Sequence, residues 1–443
     1  EDTAPWREGG RLFEEVLARV GTRLGRRRWW GFLVGAEGIL PVGSGGQGLQ
    51  TSVAGEGRAL ERALRTGGVA RFDAPDPALA QAREAGSGVV IPARLRGRVV
   101  ALLALESDRR KAFRERDVQR VERALQGRAL ALRLAAFRAW HLEQYGSDLA
   151  FAAGERGFGQ LADHLWTAAR AQTPVLVSGP PGAGKRVLMR WMQFEWALEG
   201  GASEGGHAPR ARAPLGSVEA PSAQQVLAAL EQPCALFEGL DRWPVPVQRQ
   251  LAQALEHAPR TKVLLHVQGR LETLAQDGAL DPRLVRVLAN FELHVAGLAE
   301  RRGELPYLVN GLLRILRQSH GGPLLRLDDQ ALGLFWRQPW DGGLGALKGS
   351  LLKLLLEAPG EEIGVDLAWK ILSAYGAKPL KRLPSRRPRR RDVESALEST
   401  RMESGRINKT RAAQYLGWDP DTLVARMGDL GITPADRSSL KPA

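Results

Sequence analysis

Apolar positions recur at helical spacing in "RLFEEVLARVGTRL" (residues 11–24), which predicts an amphipathic helix near the start of the chain. "WWGFLVGAEGILPVG" (29–43) then reads as strand, glycine-centred turn and strand, and "GVVIPARLRGRVVALLALES" (88–107) as two β-rich runs joined at Arg96-Gly97. From Asp117 to Tyr145 the helical period returns, with Val118, Val121, Ala124, Leu125, Leu130 and Leu132 on one stripe. Such a stripe serves as core or as a dimer seam. Beyond residue 146 the grammar changes. Short buried-type runs, "TPVLVSG", "CALFE" and "TKVLLHVQG", alternate with helical stretches, the pattern of a parallel sheet covered on both faces. "GLAERRGELPYLVNGLLRIL" (297–316) opens a series of helices that reads as a small all-helical lid.

Length and charge refine this picture. At 443 residues the chain is long enough for about three domains. Its longest apolar runs fall short of the ~20 residues that span a bilayer, and "EDTAPWREGG" has no signal-peptide pattern, so a cytoplasmic protein with no membrane partner is expected. A single cysteine, Cys234, excludes an internal disulfide framework and a Cys-cluster metal site; on its apolar strand it reads as a small buried filler. The formal net charge is +14, which favours a polyanionic partner. Part of it is concentrated in "GAKPLKRLPSRRPRRR" (376–391), with eight cations (Lys378, Lys381, Arg382, Arg386, Arg387, Arg389, Arg390, Arg391), three prolines and no acid. That composition predicts a disordered linker. Helical text resumes from residue 392.

The candidate chemistry begins at Gly179-Pro-Pro-Gly-Ala-Gly-Lys185, between an apolar strand and a helix. Gly179, Gly182 and Gly184 allow backbone N–H groups to turn inward around phosphates, and Lys185 adds a point charge. The next residue of such loops is ordinarily Ser or Thr, whose hydroxyl reaches Mg²⁺; here it is Arg186, which cannot ligate a cation. An ATPase strand of the type "CALFEGLDRWP" ends in two adjacent acids, one for the metal and one for the attacking water. This one ends in Glu238 and Gly239. Asp241 is the only nearby acid.

Two resemblances organise these signals. The stretch "IPARLRGRVVALLALES…FRERDVQRVERAL" resembles a GAF domain, the small-molecule sensor fold, running into a signalling helix. From about residue 150 to 432 the chain resembles bacterial enhancer-binding proteins, the AAA+ activators of the sigma-54 RNA polymerase. The resemblance rests on the phosphate loop, "LFEGLDRWPVPVQRQLAQAL", "GLAERRGELPYLV", "QPWDGGLGALKGSLLKLLLEAPGEEI" and a tail similar to a Fis-type helix-turn-helix. It implies a multidomain α/β architecture: a GAF-like α+β sensor (1–116), a signalling or dimerisation helix (117–149), an AAA+ parallel-sheet P-loop domain (150–299) with a helical lid (300–375), the basic linker (376–391) and an all-α DNA-binding domain (392–443).

Position by position, the same resemblance implies a lost enzyme. Glu238 falls on the family's metal-site acid and Gly239 on its catalytic acid. Asp281, Val287 and Gly345 fall where the family carries arginines that act across subunits or sense nucleotide; Arg283 and Arg286 lie nearby at shifted helical positions. The polymerase-contacting GAFTGA loop is absent between Lys185 and Glu238. A nucleotide, ATP or ADP, is then expected to be bound without turnover by Gly179, Gly182, Gly184, Lys185, Arg186 and Glu238, with Mg²⁺ placement in doubt and no catalytic residue.

In the tail, Ala412, Ala413, Leu416 and Gly417 match the family's small-residue crossing, with Asp419 and Pro420 opening the next helix. Leu423 and Met427, four apart, are expected to face inward, and the resemblance implies that Thr422, Ala425 and Arg426 face the major groove. By the same resemblance Lys409, Arg411 and the linker arginines are expected to supply phosphate contacts. Asp421 and Asp419 depart from the family's polar or basic start and weaken base reading. The expected partners are double-stranded DNA and further copies of the chain, with RNA polymerase and a small molecule at the sensor as additional possibilities. The resemblance leaves three readings: a regulator acting without hydrolysis, a true ATP-driven activator, and a scaffold that no longer binds DNA.

Overall fold

The computed structural model describes residues 5–20, 28–36, 38–45, 58–72, 86–146, 148–149, 164–170, 173–200, 220–232, 234–257, 261–374, 390–401, 407–416, 418 and 420–432. Contacts divide the chain into two units, one of residues 1–149 with 190–211, the other of 150–189 with 212–443.

The first unit is built on a five-stranded antiparallel sheet in the order β2-β1-β5-β4-β3. Its strands are β1 (Arg28–Gly35), β2 (Gly38–Gly45), β3 (Ala70–Phe72), β4 (Ser87–Leu95) and β5 (Arg98–Ser107). The β4–β5 hairpin turns at Arg96 (φ 52°) and Gly97 (φ 81°), two consecutive left-handed residues whose twist matches that of paired strands. One face of the sheet, with Trp30, Phe32, Val90, Leu102 and Ala104, forms a core with Ala59, Leu60 and Ala63 of α2 (Arg58–Thr66). Helix α1 (Pro5–Val20) packs against β1 and β2. The unit is thus an α+β layering of helices on an antiparallel sheet.

The single helix expected from Asp117 to Tyr145 is two helices, α3 (Glu115–Gln126) and α4 (Ala129–Tyr145). The chain leaves α3 at Gly127, whose N–H bonds back to the Arg123 carbonyl while the Arg128 N–H bonds to that of Leu125, and re-enters at Arg128 with ψ near 4°. A stripe of apolar positions carries no sign of a break that one glycine introduces. Val118, Val121, Leu125 and Leu132 are buried in this unit, which makes the stripe core; Leu130 is only half-buried. Helix α5 (Lys185–Gly200) has its second half, from Arg190, in this unit. There Arg133 of α4 pairs with Glu195 at 2.7 Å, both buried, beside a cluster of Phe137, Trp140, Trp191 and Phe194 rings in edge-on and tilted contact.

The second unit holds a four-stranded parallel sheet in the order β7-β8-β6-β9. The strands are β6 (Val175–Ser178), β7 (Cys234–Glu238), β8 (Lys262–His266) and β9 (Glu292–His294). Around them lie α6 (Ala223–Leu230), α7 (Val245–Glu256), α8 (Leu271–Gln276) and α9 (Pro282–Leu288). Ser222 opens α6 with a reciprocal capping box to Gln225. Phe237, Leu251, Leu265, Leu284 and Leu288 sit in the core between sheet and helices. Cys234, at the strand's start, is half-buried and not the fully buried filler its apolar neighbours predict.

The lid comprises α10 (Leu305–His320), α11 (Asp329–Arg337), α12 (Gly343–Glu357) and α13 (Val365–Ala374), joined by a parallel bridge of two-residue strands, β10 (Arg326–Leu327) and β11 (Glu362–Ile363). Its core does not end with the lid. Val393, Ala396 and Leu397 of α14 (Arg390–Ser399), Ala412, Ala413, Tyr415 and Leu416 of α15 (Lys409–Leu416), and Leu423 and Met427 of α16 (Pro420–Asp429) belong to the same apolar cluster. The Trp336 ring of α11 lies tilted against that of Tyr415, with centroids 5.8 Å apart. The tail expected beyond a flexible linker is thus packed on the lid.

Candidate functional site

The phosphate loop follows β6 directly, and its glycines take left-handed or extended-positive angles at Gly179 (φ 139°), Gly182 (φ 70°) and Gly184 (φ 92°). Lys185 begins α5 and is buried, its ammonium donating to the carbonyls of Gly179 (2.6 Å) and Pro180 (2.7 Å). Burial lowers its pKa to about 8, opposed by Asp241 and Glu238. The loop's outer carbonyls are held from the lid side: Arg301 donates to Ala183 O at 2.7 Å and Leu344 N–H to Gly182 O at 2.9 Å. The lid backbone comes so close that a Cβ on Gly343 would lie 2.6 Å from Gly182. Glycine at both positions is therefore required by contact as well as by angle.

Arg186 turns across to β7. Its Nε lies 2.9 Å from both Glu238 oxygens and its Nη2 2.6 Å from Oε2, a forked pair on a carboxylate that is 2% exposed. Gly239 follows in the left-handed region (φ 68°). The space a side chain would enter there is occupied by the Arg242 guanidinium, with Nη2 2.5 Å from the Cβ position. Asp241 accepts the Gln268 N–H at 3.0 Å, which latches the end of β7 to the end of β8. His266, the last residue of β8, accepts the Gly239 N–H on Nδ1 at 3.2 Å. Burial first, and then Lys185, Arg186 and Arg242, push its pKa down to about 3, so the ring is neutral.

The residues that hold a divalent cation do not fit one here. Both Glu238 oxygens are engaged by Arg186, position 186 has no hydroxyl, and Asp241 serves a backbone amide. Among the described residues no group of three or more His, Cys, Asp or Glu side chains is arranged to hold a metal. The loop and Lys185 do fit phosphates, through turned backbone and a cation at a helix start.

The other positions assigned by sequence scatter. Asp281 is buried as the N-cap of α9, accepting from Arg283 N at 2.9 Å and from Arg249 Nε at 3.0 Å. Burial raises its pKa, but those donors overcome that and leave it lowered. Val287 packs against the sheet core and Gly345 is exposed on α12. Arg283 is engaged with Glu256 at 3.3 Å and Arg286 is exposed. Sequence reasoning missed Arg301, Arg242 and His266, since what marks each is a contact with residues distant in sequence or a bent-back turn.

In the tail, Ala412, Ala413, Leu416, Leu423 and Met427 are buried as expected, and Pro420 is the first residue of α16. Ala425 and Arg426 are exposed and Thr422 is half-buried; Arg426 pairs with Asp429 at 3.2 Å. Lys409 is exposed at the start of α15. Arg411, expected on phosphate, instead pairs with Asp329 of the lid at 2.8 Å, with its guanidinium 5.9 Å from the Tyr415 ring. Arg390 and Arg391 are not linker: they open α14, where Arg390 pairs with Glu394 at 2.8 Å and Arg391 reaches Glu300 O at 3.5 Å. Basic composition predicts disorder there, but the apolar spacing of Val393, Ala396 and Leu397 starts the helix earlier. Arg386, Arg387, Arg389, Gly417 and Asp419 lie outside the described residues. Among the described residues no helix is long and apolar enough to cross a membrane.

No protein-family model matches the chain. Among curated proteins it is similar to a transcriptional regulatory protein of Sinorhizobium fredii, 23% identical over 296 residues, covering 63% of this chain and 47% of that protein. The DNA-binding transcriptional regulator NtrC of Escherichia coli K12 is 23% identical over 197 residues, 39% of this chain and 41% of its own length. The response regulator PilR of Pseudomonas aeruginosa is 24% identical over 309 residues, 61% of this chain and 67% of its own. The chain thus spans less than half the length of the first two. Among solved structures, NtrX of Brucella abortus in complex with ATP aligns with TM-score 0.45 and 18% identity over 73% of this chain and 76% of that one.

Proposed function

We propose that this chain, an NtrC-type AAA+ regulator, controls transcription by binding DNA and uses its nucleotide domain as a scaffold, without hydrolysing ATP or remodelling the sigma-54 polymerase. One observation carries the reading: Glu238 is clamped by Arg186 while the adjacent Gly239 has no side chain and Arg242 fills its space. Hydrolysis needs a placed metal, an oriented water and transition-state charge together, so removing several of them leaves little rate. The positions that resemble the family's arginines support the same conclusion, because Asp281 is an N-cap and Gly345 has no side chain. DNA binding is supported by the outward face of α16 and by the chain's +14 net charge. E. coli NtrC, a similar regulator, is itself named as DNA-binding. The nucleotide expected in the loop, ATP or ADP, fixes a conformation by binding.

The test has two arms. Purified protein is expected to release phosphate from ATP no faster than its Lys185→Ala variant, and genome-wide occupancy is expected to show discrete DNA sites. Lys185-dependent turnover near the ~10 s⁻¹ typical of enzymes would overturn the scaffold reading. Absence of any occupied site would overturn the DNA reading.

A further inference from the structure

Three cations and two acids meet at the ends of β6 and β7. Lys185 is folded into the loop, Arg186 lies on Glu238, Arg242 covers Gly239, and Asp241 is bound to the Gln268 amide. In a metal-dependent P-loop, residue 186 would offer a hydroxyl and the β7 carboxylate would complete the divalent ion's shell. Here the carboxylate is 2% exposed, and what neutralises it is a covalently attached guanidinium. That guanidinium is not sealed away: the Arg186 side chain, next in sequence to the loop's Lys185, is 59% exposed, so N–H groups not bonded to Glu238 are open to solvent.

We propose that Arg186 is a resident substitute for the divalent cation, so that this loop takes the phosphates of a nucleotide in their metal-free form and is indifferent to, or weakened by, Mg²⁺. The inference rests on the nucleotide-binding part of the reading above and adds its ionic specificity. The physical argument is charge accounting. A guanidinium held in a forked pair by a buried carboxylate is pre-organised, needs no recruitment from solution and offers donors matched to phosphate oxygens. A Mg²⁺ ion would have to displace it from both Glu238 oxygens and would sit beside the further cations Lys185 and Arg242. Complexation by Mg²⁺ also removes negative charge from the nucleotide, and a site rich in fixed cations then loses attraction. In this arrangement the loop remains a phosphate receptor while the means of cleaving what it holds is gone.

The test is equilibrium binding of ADP and of ATP to the full chain by calorimetry, each in EDTA and in excess MgCl₂. Wild type is expected to bind in EDTA at least as tightly as in MgCl₂. Arg186→Thr, which restores the hydroxyl and frees Glu238, is expected to reverse the order, with Mg²⁺ tightening binding about tenfold, equivalent to about 1.4 kcal/mol. Arg186→Lys keeps a charge without the fork and is expected to stay metal-independent at lower affinity. Thermal melts of each variant establish that it folds. Mg²⁺ that tightens wild-type binding tenfold would overturn the proposal. So would Arg186→Thr that folds and remains metal-independent, and so would absence of binding in both buffers. Absence of binding in both buffers would also remove the nucleotide from the reading above, whereas the other two results leave that reading standing; DNA occupancy is read separately.

Discussion

The phosphate loop and the tail helix pair depart from the pattern they resemble in opposite ways. At the loop, the altered residues are partnered or enclosed: Arg186 is bonded to a buried Glu238, and Gly239 is bent into a left-handed turn over which Arg242 lies. At the tail, the altered residues are on the surface: Asp421 is exposed on α16, while the framework residues Leu423 and Met427 remain buried. The first set has become part of the fold's stability and the second has not. A change of chemistry inside a packed site draws in its neighbours, whereas one on an exposed helix face is thermodynamically nearly silent.

Three measurements would break or sharpen this contrast. The largest effect concerns pH. His266 is held neutral with its pKa near 3, below the ordinary 6.5, so the unfolded chain binds more protons between those values. Stability is therefore fully present above pH 6.5 and falls as pH drops toward 3, by about 2 kcal/mol between pH 7 and 5 from this residue. Urea titrations at the two pH values should show that loss, and His266→Gln should flatten it. An unchanged slope in the variant would mean the ring is not embedded as described.

Next comes Gly239→Glu. A side chain in the left-handed region costs about 1–2 kcal/mol, and the new carboxylate would be captured by Arg242. The variant should melt lower and still release no phosphate from ATP. Turnover in this single variant would show that the site lacked only one part.

The smallest effect on stability is expected at the tail. Arg426→Ala should change stability by less than about 0.5 kcal/mol, because the residue is exposed and its pair with Asp429 is a surface one. It should nonetheless weaken a cognate duplex by about 1–3 kcal/mol more than a scrambled one, as measured by a salt titration against both. Equal losses on the two duplexes would mean that α16 contacts only backbone.

What was legible in the sequence follows the range of each signal. The phosphate loop could be read because its glycines and Lys185 act within one turn of chain. The β4–β5 hairpin was legible for the same reason, from Arg96-Gly97. Inward positions of α16 followed from helical spacing alone. The destination of Arg186 could not be read, since Glu238 lies 52 residues away and is brought adjacent only by the parallel sheet. Arg301 and Arg411 look like any surface arginine in the text; lid packing alone decides that one holds Ala183 and the other Asp329. The break at Gly127 was hidden by a stripe that continues in phase across it. At Arg390 a compositional rule and a periodic one disagree, and the periodic one prevails because burial of Val393 and Ala396 contributes more than the charge run opposes.

The core shared by the lid and the last three helices limits how this molecule can be taken apart. A fragment cut before Arg390 would carry Ala396, Leu397, Ala413 and Tyr415 without the Trp336 side of their packing, and the remainder would be left with the matching wound. Freshly bared apolar surface of that kind is sticky and invites self-association. The helix pair is thus not a cassette to be grafted onto another protein, and a fusion or truncation that respects the fold must keep α10 to α16 in one piece.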